Sequence, residues 1–392
     1  MKNGVKWQLS TLLPIKTRLI SQIEGIGADC FTHNMWEKGV SFPVRVFGVS
    51  SGVANIIKQE ALASGIDAAV SRGSVTCSVD KTDVIILGSI RGLKLLVPRL
   101  KLQGFSLPAL ASELETLIEP AVSRVFMMRN RILELAKPYI MGILNVTPDS
   151  FSDGGIYITA KAQEAKIRAI FNEGARFVDI GAVSTKPDHT VPSVEEEMRR
   201  LLPAVKIAVE IAREYDGFVS ADTWRYEAVK AAVELGADMI NDQSGLSDQR
   251  VAVLCAESKT GICIMHNKED MSGELLHSVK KFFIDKTEEV RAAGVEKCRI
   301  MLDPGFGFKK SLKDNYLLLK YFSELCTLDY PLLAGVSRKS MIGDVIGKPV
   351  IKRNSGTLAA EMAVLMNGAA VIRTHDVEQC ADAVMIAEAI NN

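Results

Sequence analysis

From about Tyr139 onward the chain alternates short apolar runs with longer amphipathic stretches. The apolar runs fall at 140–145, 177–181, 218–222, 239–242, 261–266, 299–303, 332–335 and 370–373. Each has the length of a strand, and runs with so little polar alternation belong to strands covered on both faces. Between most of them apolar residues recur at helical spacing, as over 159–173 and 194–215. Eight strand–helix units in about 250 residues is the period of a (β/α)8 TIM barrel. An open doubly wound sheet usually has fewer strands and a nucleotide-binding glycine fingerprint after the first.

The polar residues follow the same period. The carboxyl ends of the predicted strands carry Asn145, Asp179, Asp222, Asn241, His266, Asp303, the segment 337–339, and Arg373 with His375. Any one of these could be a cap or an ion-pair member. In a barrel, however, the strand ends converge on one mouth, where residues far apart in sequence line a single pocket.

Two kinds of ligand chemistry are legible there. Arg373 and His375 stand two residues apart at the end of the last strand, a spacing that can turn both to one side and offer planar donors to phosphate oxygens. Arg373 could instead pair with Asp376 or another carboxylate. Asp222, Asn241, Asp303 and Lys339 would present acceptors, an amide and an ammonium to a flat hydrogen-bonding ring. A buried carboxylate needs such donors. Lys339 and Ser340 sit where the seventh strand gives way to a helix, a place that can receive a carboxylate.

The first third of the chain is not needed for a barrel. Strands are expected at 44–50 and 83–88 and helices at 52–62, 92–101 and 107–117, which makes a smaller α/β domain. The boundary is placed near 133–138, giving an accessory domain over 1–137 and the barrel over 138–392. Segment 64–73 contains Asp67, Ser71 and Arg72 but no convincing catalytic group. A structural, docking or oligomerisation role is the reading preferred over substrate handling.

Charge and composition exclude more than they identify. The 392 residues hold 47 basic and 47 acidic side chains, so nothing global points to nucleic acid or an anionic membrane. Residues 1–138 carry 17 basic against 11 acidic groups and the remainder 30 against 36, an asymmetry too diffuse to name a partner. The seven cysteines have no paired spacing and are expected to be reduced, mostly buried thiols. The polar start is unlike a signal peptide and no apolar segment reaches spanning length, so a soluble cytoplasmic protein is expected.

The motifs themselves are specific. Met141-Gly-Ile-Leu-Asn-Val-Thr-Pro-Asp-Ser-Phe-Ser-Asp-Gly-Gly155 passes from a buried strand into a polar, glycine-rich loop. There follow Ser184-Thr-Lys-Pro187, Ala221-Asp-Thr223, Asn241-Asp242, Met265-His-Asn267, Asp303-Pro-Gly-Phe-Gly307, Ser337-Arg-Lys-Ser340 and Arg373-Thr-His-Asp-Val377. In that order they resemble the motifs of the dihydropteroate synthase family over roughly 139–391. The resemblance implies condensation of 6-hydroxymethyl-7,8-dihydropterin diphosphate with 4-aminobenzoate, giving 7,8-dihydropteroate and pyrophosphate. It implies that Asp222, Asn241, Asp303 and Lys339 hold the pterin, and Asn145, Arg373 and His375 the diphosphate. Mg2+ would be bound partly by Asn145, and Thr185, Lys186 and Ser340 would position the aminobenzoate. Asp222, Lys339, Arg373 and His375 are the residues expected to carry catalysis, with no organic cofactor.

Departures from the family pattern lie mainly in the second loop, where Val183 replaces a carboxylate and Lys186 an arginine; Lys309 also stands where glycine is common. They bear on the second substrate and on sulfonamide response. A pterin-dependent methyltransferase, or a non-catalytic pterin-binding or scaffold protein, remains the alternative. A homodimer is implied by resemblance. The small and apolar residues of 354–366 could pack against a partner or equally cover the eighth strand.

Overall fold

A computed structural model describes residues 35–118, 125–147, 159–183, 191–270 and 273–391, with Ile23 and Ile26. The glycine-rich segment ending at Gly155 and the second-loop segment containing Lys186 lie largely outside the described residues. The chain forms two compact units, Met1–Pro120 and Ala121–Asn392.

In the first unit, β1 (Val44–Ser50), β2 (Asp67–Val70) and β3 (Lys81–Leu87) form an antiparallel sheet in the order β1-β3-β2. Strand β2 was not anticipated: four residues with a single buried position make a weak period-two signal. Helices Ser51–Ala63, Ile90–Lys101 and Leu107–Ile118 accompany the sheet. Ser50 and Ser89 cap the first two by accepting from Val53 N and Gly92 N. Ala54, Ile57, Ile86, Leu93, Leu96 and Leu107 form the centre of this unit's core.

The second unit opens with a hairpin, β4 (Val125–Met128) and β5 (Arg131–Glu134). Eight parallel strands follow: β6 (Tyr139–Asn145), β7 (Phe177–Gly181), β8 (Phe218–Asp222), β9 (Met239–Asp242), β10 (Gly261–Met265), β11 (Ile300–Asp303), β12 (Leu333–Ala334) and β13 (Val371–Thr374). Their order is β11-β10-β9-β8-β7-β6-β13-β12. A parallel bridge between Leu302 and Leu332, with Leu302 N donating to Pro331 O at 2.9 Å, joins the two ends. This is the TIM barrel that the periodicity predicts. Strand β12 is shorter than expected, two residues rather than four.

The strand period of two sorts the barrel interior into layers. Met141, Phe177, Phe218, Met239, Cys263, Met301, Leu333 and Val371, one from each strand, form an apolar cluster with Phe126, Met128 and Leu133 of the hairpin. Two or four residues further along the same strands come Asn145, Asp179, Asp222, Asn241, Asp303 and Arg373. The floor is therefore apolar and the mouth polar. Gly261 lets the hairpin approach, since a Cβ there would fall 2.8 Å from Met128 Cγ and 2.9 Å from Phe126 Cζ. Arg299, 4% exposed, binds the hairpin turn from below, donating through Nη1 to Arg129 O and Lys259 O at 2.9 and 2.8 Å.

The hairpin thus belongs to the barrel's core, although the boundary drawn at 137/138 put it in the leading domain; the compact units divide ahead of it, at Pro120/Ala121. Its two short strands escaped the sequence reading because their apolar partners are supplied by eight other strands. Phe126→Ala, at a fully buried position, is expected to cost about 3–5 kcal/mol in chemical denaturation. Ile132→Ala, at a position 60% exposed on the same hairpin, should stay within about 0.5 kcal/mol. Equal effects would separate the hairpin from the floor.

Candidate active site

Parallel register sets the height of the mouth. Asn145 pairs with Gly181, Gly181 with Asp222, and Asp222 with Asn241, so four neighbouring strands end level. Gly181 has no side chain to fill the space between its neighbours: a Cβ would lie 3.3 Å from Asp222 Oδ2 and 3.5 Å from Asn145 Oδ1.

Arg373 crosses this level. Its Nε donates to Asp179 Oδ2 at 2.6 Å and its Nη2 to Asp222 Oδ2 at 2.8 Å. Asn241 Nδ2 adds a bond to Asp179 Oδ2 at 3.2 Å, and Gln243 Nε2 donates to both Asp222 oxygens, at 2.5 Å to Oδ1. Asp179 is fully buried and Asp222 7% exposed. Burial raises the Asp222 carboxyl well above its ordinary value, against the pull of Arg373 and with the push of Asp179. Burial alone would lower Arg373; the two carboxylates more than reverse that and hold it charged. One guanidinium therefore faces two acids.

A second group lies across the mouth. Asp303 Oδ1 accepts from Gly305 N at 2.8 Å, and burial raises its carboxyl while the Gly305 N–H and Lys339 oppose the change. Lys339 Nζ stands 4.2 Å over the Phe308 ring. Burial, then Arg373, lowers it to about 8. Gly307, at φ +77°, brings the loop against the Lys339 stem, where a Cβ would be 3.1 Å from Cδ. Lys310 ties the loop down by donating to His266 O, Gly305 O and Phe308 O at 3.0, 3.0 and 3.1 Å.

Ser337 and His375 meet at the third side, with Ser337 Oγ 3.0 Å from His375 Nδ1. Arg338, at φ 56°, forms an ion pair with Asp376 that joins the loop after β12 to the end of β13. Asp376 therefore pairs with Arg338, and Arg373 with the mouth's own carboxylates. Burial, then Arg373, Arg338 and Lys339, keeps His375 well below the ordinary histidine value, so the imidazole is neutral.

Most of the predicted set is thus brought to one end of the barrel: Asn145, Asp222, Asn241, Asp303, Lys339, Arg373 and His375. Ser340 is exposed at the start of the short helix Ser340–Ile346. Thr185 and Lys186 lie outside the described residues. His266 departs from the strand-end series, packing edge-on against Phe282 at 4.9 Å with burial lowering it to about 3. Asp179, named among the strand ends but given no ligand or catalytic role, and Gln243, not named at all, complete the site's network. Asp179 had a signal, a lone carboxylate in phase with Phe177 inside an apolar run. Gln243 had none, because only the fold turns it onto Asp222. Asp179 Oδ1, Asn241 Oδ1 and Gln243 Oε1 are buried acceptors with no protein partner among the described residues.

Fold and site together define a pterin-binding barrel enzyme. Residues 141–375 match the family described as pterin binding enzyme, and the chain belongs to that family. It is 38% identical over 265 residues to dihydropteroate synthase of Escherichia coli strain K12, covering 66% of this chain and 93% of that protein. It is also similar to the solved structure of Xanthomonas albilineans dihydropteroate synthase with 4-aminobenzoic acid, with a TM-score of 0.64, 37% identity, and coverage of 68% of this chain and 98% of that one. The same organism's enzyme in complex with 7,8-dihydropteroate superposes with a TM-score of 0.62 at 36% identity, again over 68% and 98%. The activity of this chain is that of a dihydropteroate synthase, a transferase. The methyltransferase and scaffold alternatives are thereby set aside.

Asp179→Asn removes a negative charge beside Asp222 and leaves more of Arg373 to it. The Asp222 carboxyl should then ionise at lower pH, and the corresponding limb in the pH dependence of kcat/KM should move to the acid side. A limb that stays in place would remove Asp222 from the titration.

Proposed function

We propose that Asp222, Asn241, Asp303 and Lys339 hold the pterin of 6-hydroxymethyl-7,8-dihydropterin diphosphate, and that Asn145, Arg373 and His375 receive its diphosphate. The observation that carries this reading is the set of buried acceptors around Asp222, Asn241 and Gln243 beside one cation shared by two acids. An amino-pyrimidinone edge supplies the N–H donors those oxygens lack. Ser340, with Thr185 and Lys186, positions 4-aminobenzoate.

In the reaction the C–O bond between the pterin methylene and the diphosphate breaks. The electron pair leaves with pyrophosphate, the aminobenzoate nitrogen forms the new C–N bond, and that nitrogen loses a proton. Arg373 and His375 offset charge gathering on the departing oxygen, and ionised Asp222 supports the electron-poor methylene. No covalent enzyme intermediate is required.

Mg2+ suits the donors available. Among the described residues no group of three or more His, Cys, Asp or Glu side chains is placed to hold a metal ion. The neutral, hard oxygen of Asn145 can contribute one ligand, with diphosphate oxygens supplying others. Bound there, the ion would add further charge neutralisation to the leaving group.

Exposed Met385, Ile386 and Ile390 on helix Val377–Asn391 support a homodimer through the barrel unit. Helix Asn354–Met366, the segment considered from sequence, instead buries Thr357, Ala360, Glu361, Val364 and Leu365. The six described cysteines are free thiols, in keeping with a reducing cytoplasm. No helix among the described residues is long and apolar enough to cross a membrane. The first unit is assigned a docking or structural role.

Assay of pyrophosphate and dihydropteroate formation with Mg2+ and both substrates tests the reaction. Arg373→Lys is the informative variant, because an alanine would also strand two buried carboxylates. Lysine keeps the charge and loses the fork, so kcat/KM should fall about 100-fold with the fold retained. Near-unchanged turnover would refute the assigned role. Mutating Met385 and Ile386 to Asp should halve the mass in solution; an unchanged mass would move any interface elsewhere.

A further inference from the structure

Arg353 is the N-cap residue of helix Asn354–Met366, but its side chain does not cap that helix. Its guanidinium donates instead to three backbone carbonyls: Nε to Lys348 O at 3.0 Å, and Nη1 to Arg338 O at 3.0 Å and Lys339 O at 3.2 Å. A guanidinium is a rigid fork of N–H donors. Spent on carbonyls, it fixes backbone rather than balancing charge.

Two of those carbonyls belong to the turn between β12 and helix Ser340–Ile346, which delivers Lys339 to the mouth. Arg338 in that turn has φ 56°, a left-handed conformation that a non-glycine residue keeps only where its surroundings fix it. Here its peptide groups are held one by one. Arg338 N donates to Thr357 Oγ1 at 3.0 Å, and Lys339 N to Val336 O at 3.3 Å. The Lys339 carbonyl accepts from Ile342 N at 3.1 Å as well as from Arg353. Arg353 and Thr357 stand four residues apart at the start of one helix, so a single rigid element grips both the N–H and the C=O of Arg338.

Room for the guanidinium comes from Gly343, inside helix Ser340–Ile346, where a Cβ would overlap Arg353 Nη2, Cζ and Nε. Glycine is a poor residue for a helix interior, and the close approach of Arg353 accounts for it.

We propose that Arg353 is a positioning residue for Lys339: seated on Gly343, it clamps the Arg338 and Lys339 carbonyls and so fixes the direction in which the Lys339 ammonium enters the mouth. The consequence for substrate rests on the assignment of Lys339 to the pterin. A lysine stem is flexible, so its direction of entry is set where it leaves the backbone. The ammonium itself is confined, 4.2 Å over the Phe308 ring. Burial, then Arg373, lowers it to about 8, while Asp303 and Asp222 oppose the change. Released to reach water, it would lose the effect of burial and titrate higher.

NMR titration of the full-length protein, labelled with 13C at the lysine ε carbon, tests this, with the Lys339 signal identified by its loss in Lys339→Arg. The wild-type signal should titrate near pH 8. Arg353→Met keeps the stem and removes the donors, and should raise the proton affinity of Lys339 about tenfold. Gly343→Ala should do the same with the Arg353 charge still present, because the new methyl displaces the guanidinium from the carbonyls. Lys352→Met removes an exposed charge from the neighbouring residue and should leave the Lys339 midpoint in place. Affinity for the pterin diphosphate should weaken on the order of tenfold in the Arg353 and Gly343 variants. An unchanged midpoint in folded Arg353→Met or Gly343→Ala would overturn the proposal, and so would an equal rise in Lys352→Met. Raised midpoints with unchanged affinity would support the clamp and overturn the Lys339–pterin contact beneath it.

Discussion

Arg373 stands between Asp179 and Asp222, and without it two carboxylates would share a dry barrel interior with no common counter-charge. Removing Arg373 would leave both carboxylates buried without that counter-charge, which typically costs several kcal/mol. The arrangement is also asymmetric. Arg373 and Asn241 both donate to Oδ2 of Asp179 and leave its Oδ1 without a partner among the described residues, whereas both Asp222 oxygens accept from Gln243 and one of them also from Arg373.

The network can be held in this way because the layer beneath it is apolar and closed. Each strand contributes a floor residue and, two or four positions later, most contribute a mouth residue, so packing the floor also orients the site. The hairpin's Phe126, Met128 and Leu133 complete that floor from outside the eight-strand repeat. Rigid strand ends hold the mouth residues proposed to receive the pterin and the diphosphate.

The barrel was legible because eight buried strands leave a local, repeated trace, and Asn145, Asp222, Asn241, Asp303, Lys339, Arg373 and His375 were legible because each closes one such run. The hairpin was not, since Val125–Met128 and Arg131–Glu134 are too short to show a period of their own and become core only against distant strands. Asp179 was visible as a strand carboxylate, yet its partner was not: nothing local links it to Arg373, 194 positions away. Spacing also offered an Arg373–Asp376 pair as an alternative, and the fold instead gives Asp376 to Arg338. Gln243 was silent because its importance lies wholly in a hydrogen-bond partner that sequence does not order.

Selectivity follows from the same accounting of partners. Asp179 Oδ1, Asn241 Oδ1 and Gln243 Oε1 are buried acceptors that the described protein leaves unmatched. A ligand with donors at their spacing removes a desolvation cost already present in the free enzyme, so its binding gains more than a surface hydrogen bond would. A ring of the same shape without those donors gains only stacking and contact, and seals the acceptors further from water. Shape alone therefore discriminates weakly here, and the unmatched oxygens supply the stronger test of the ligand. The same buried polarity that makes the mouth costly to fold is what makes it particular about the ring it accepts.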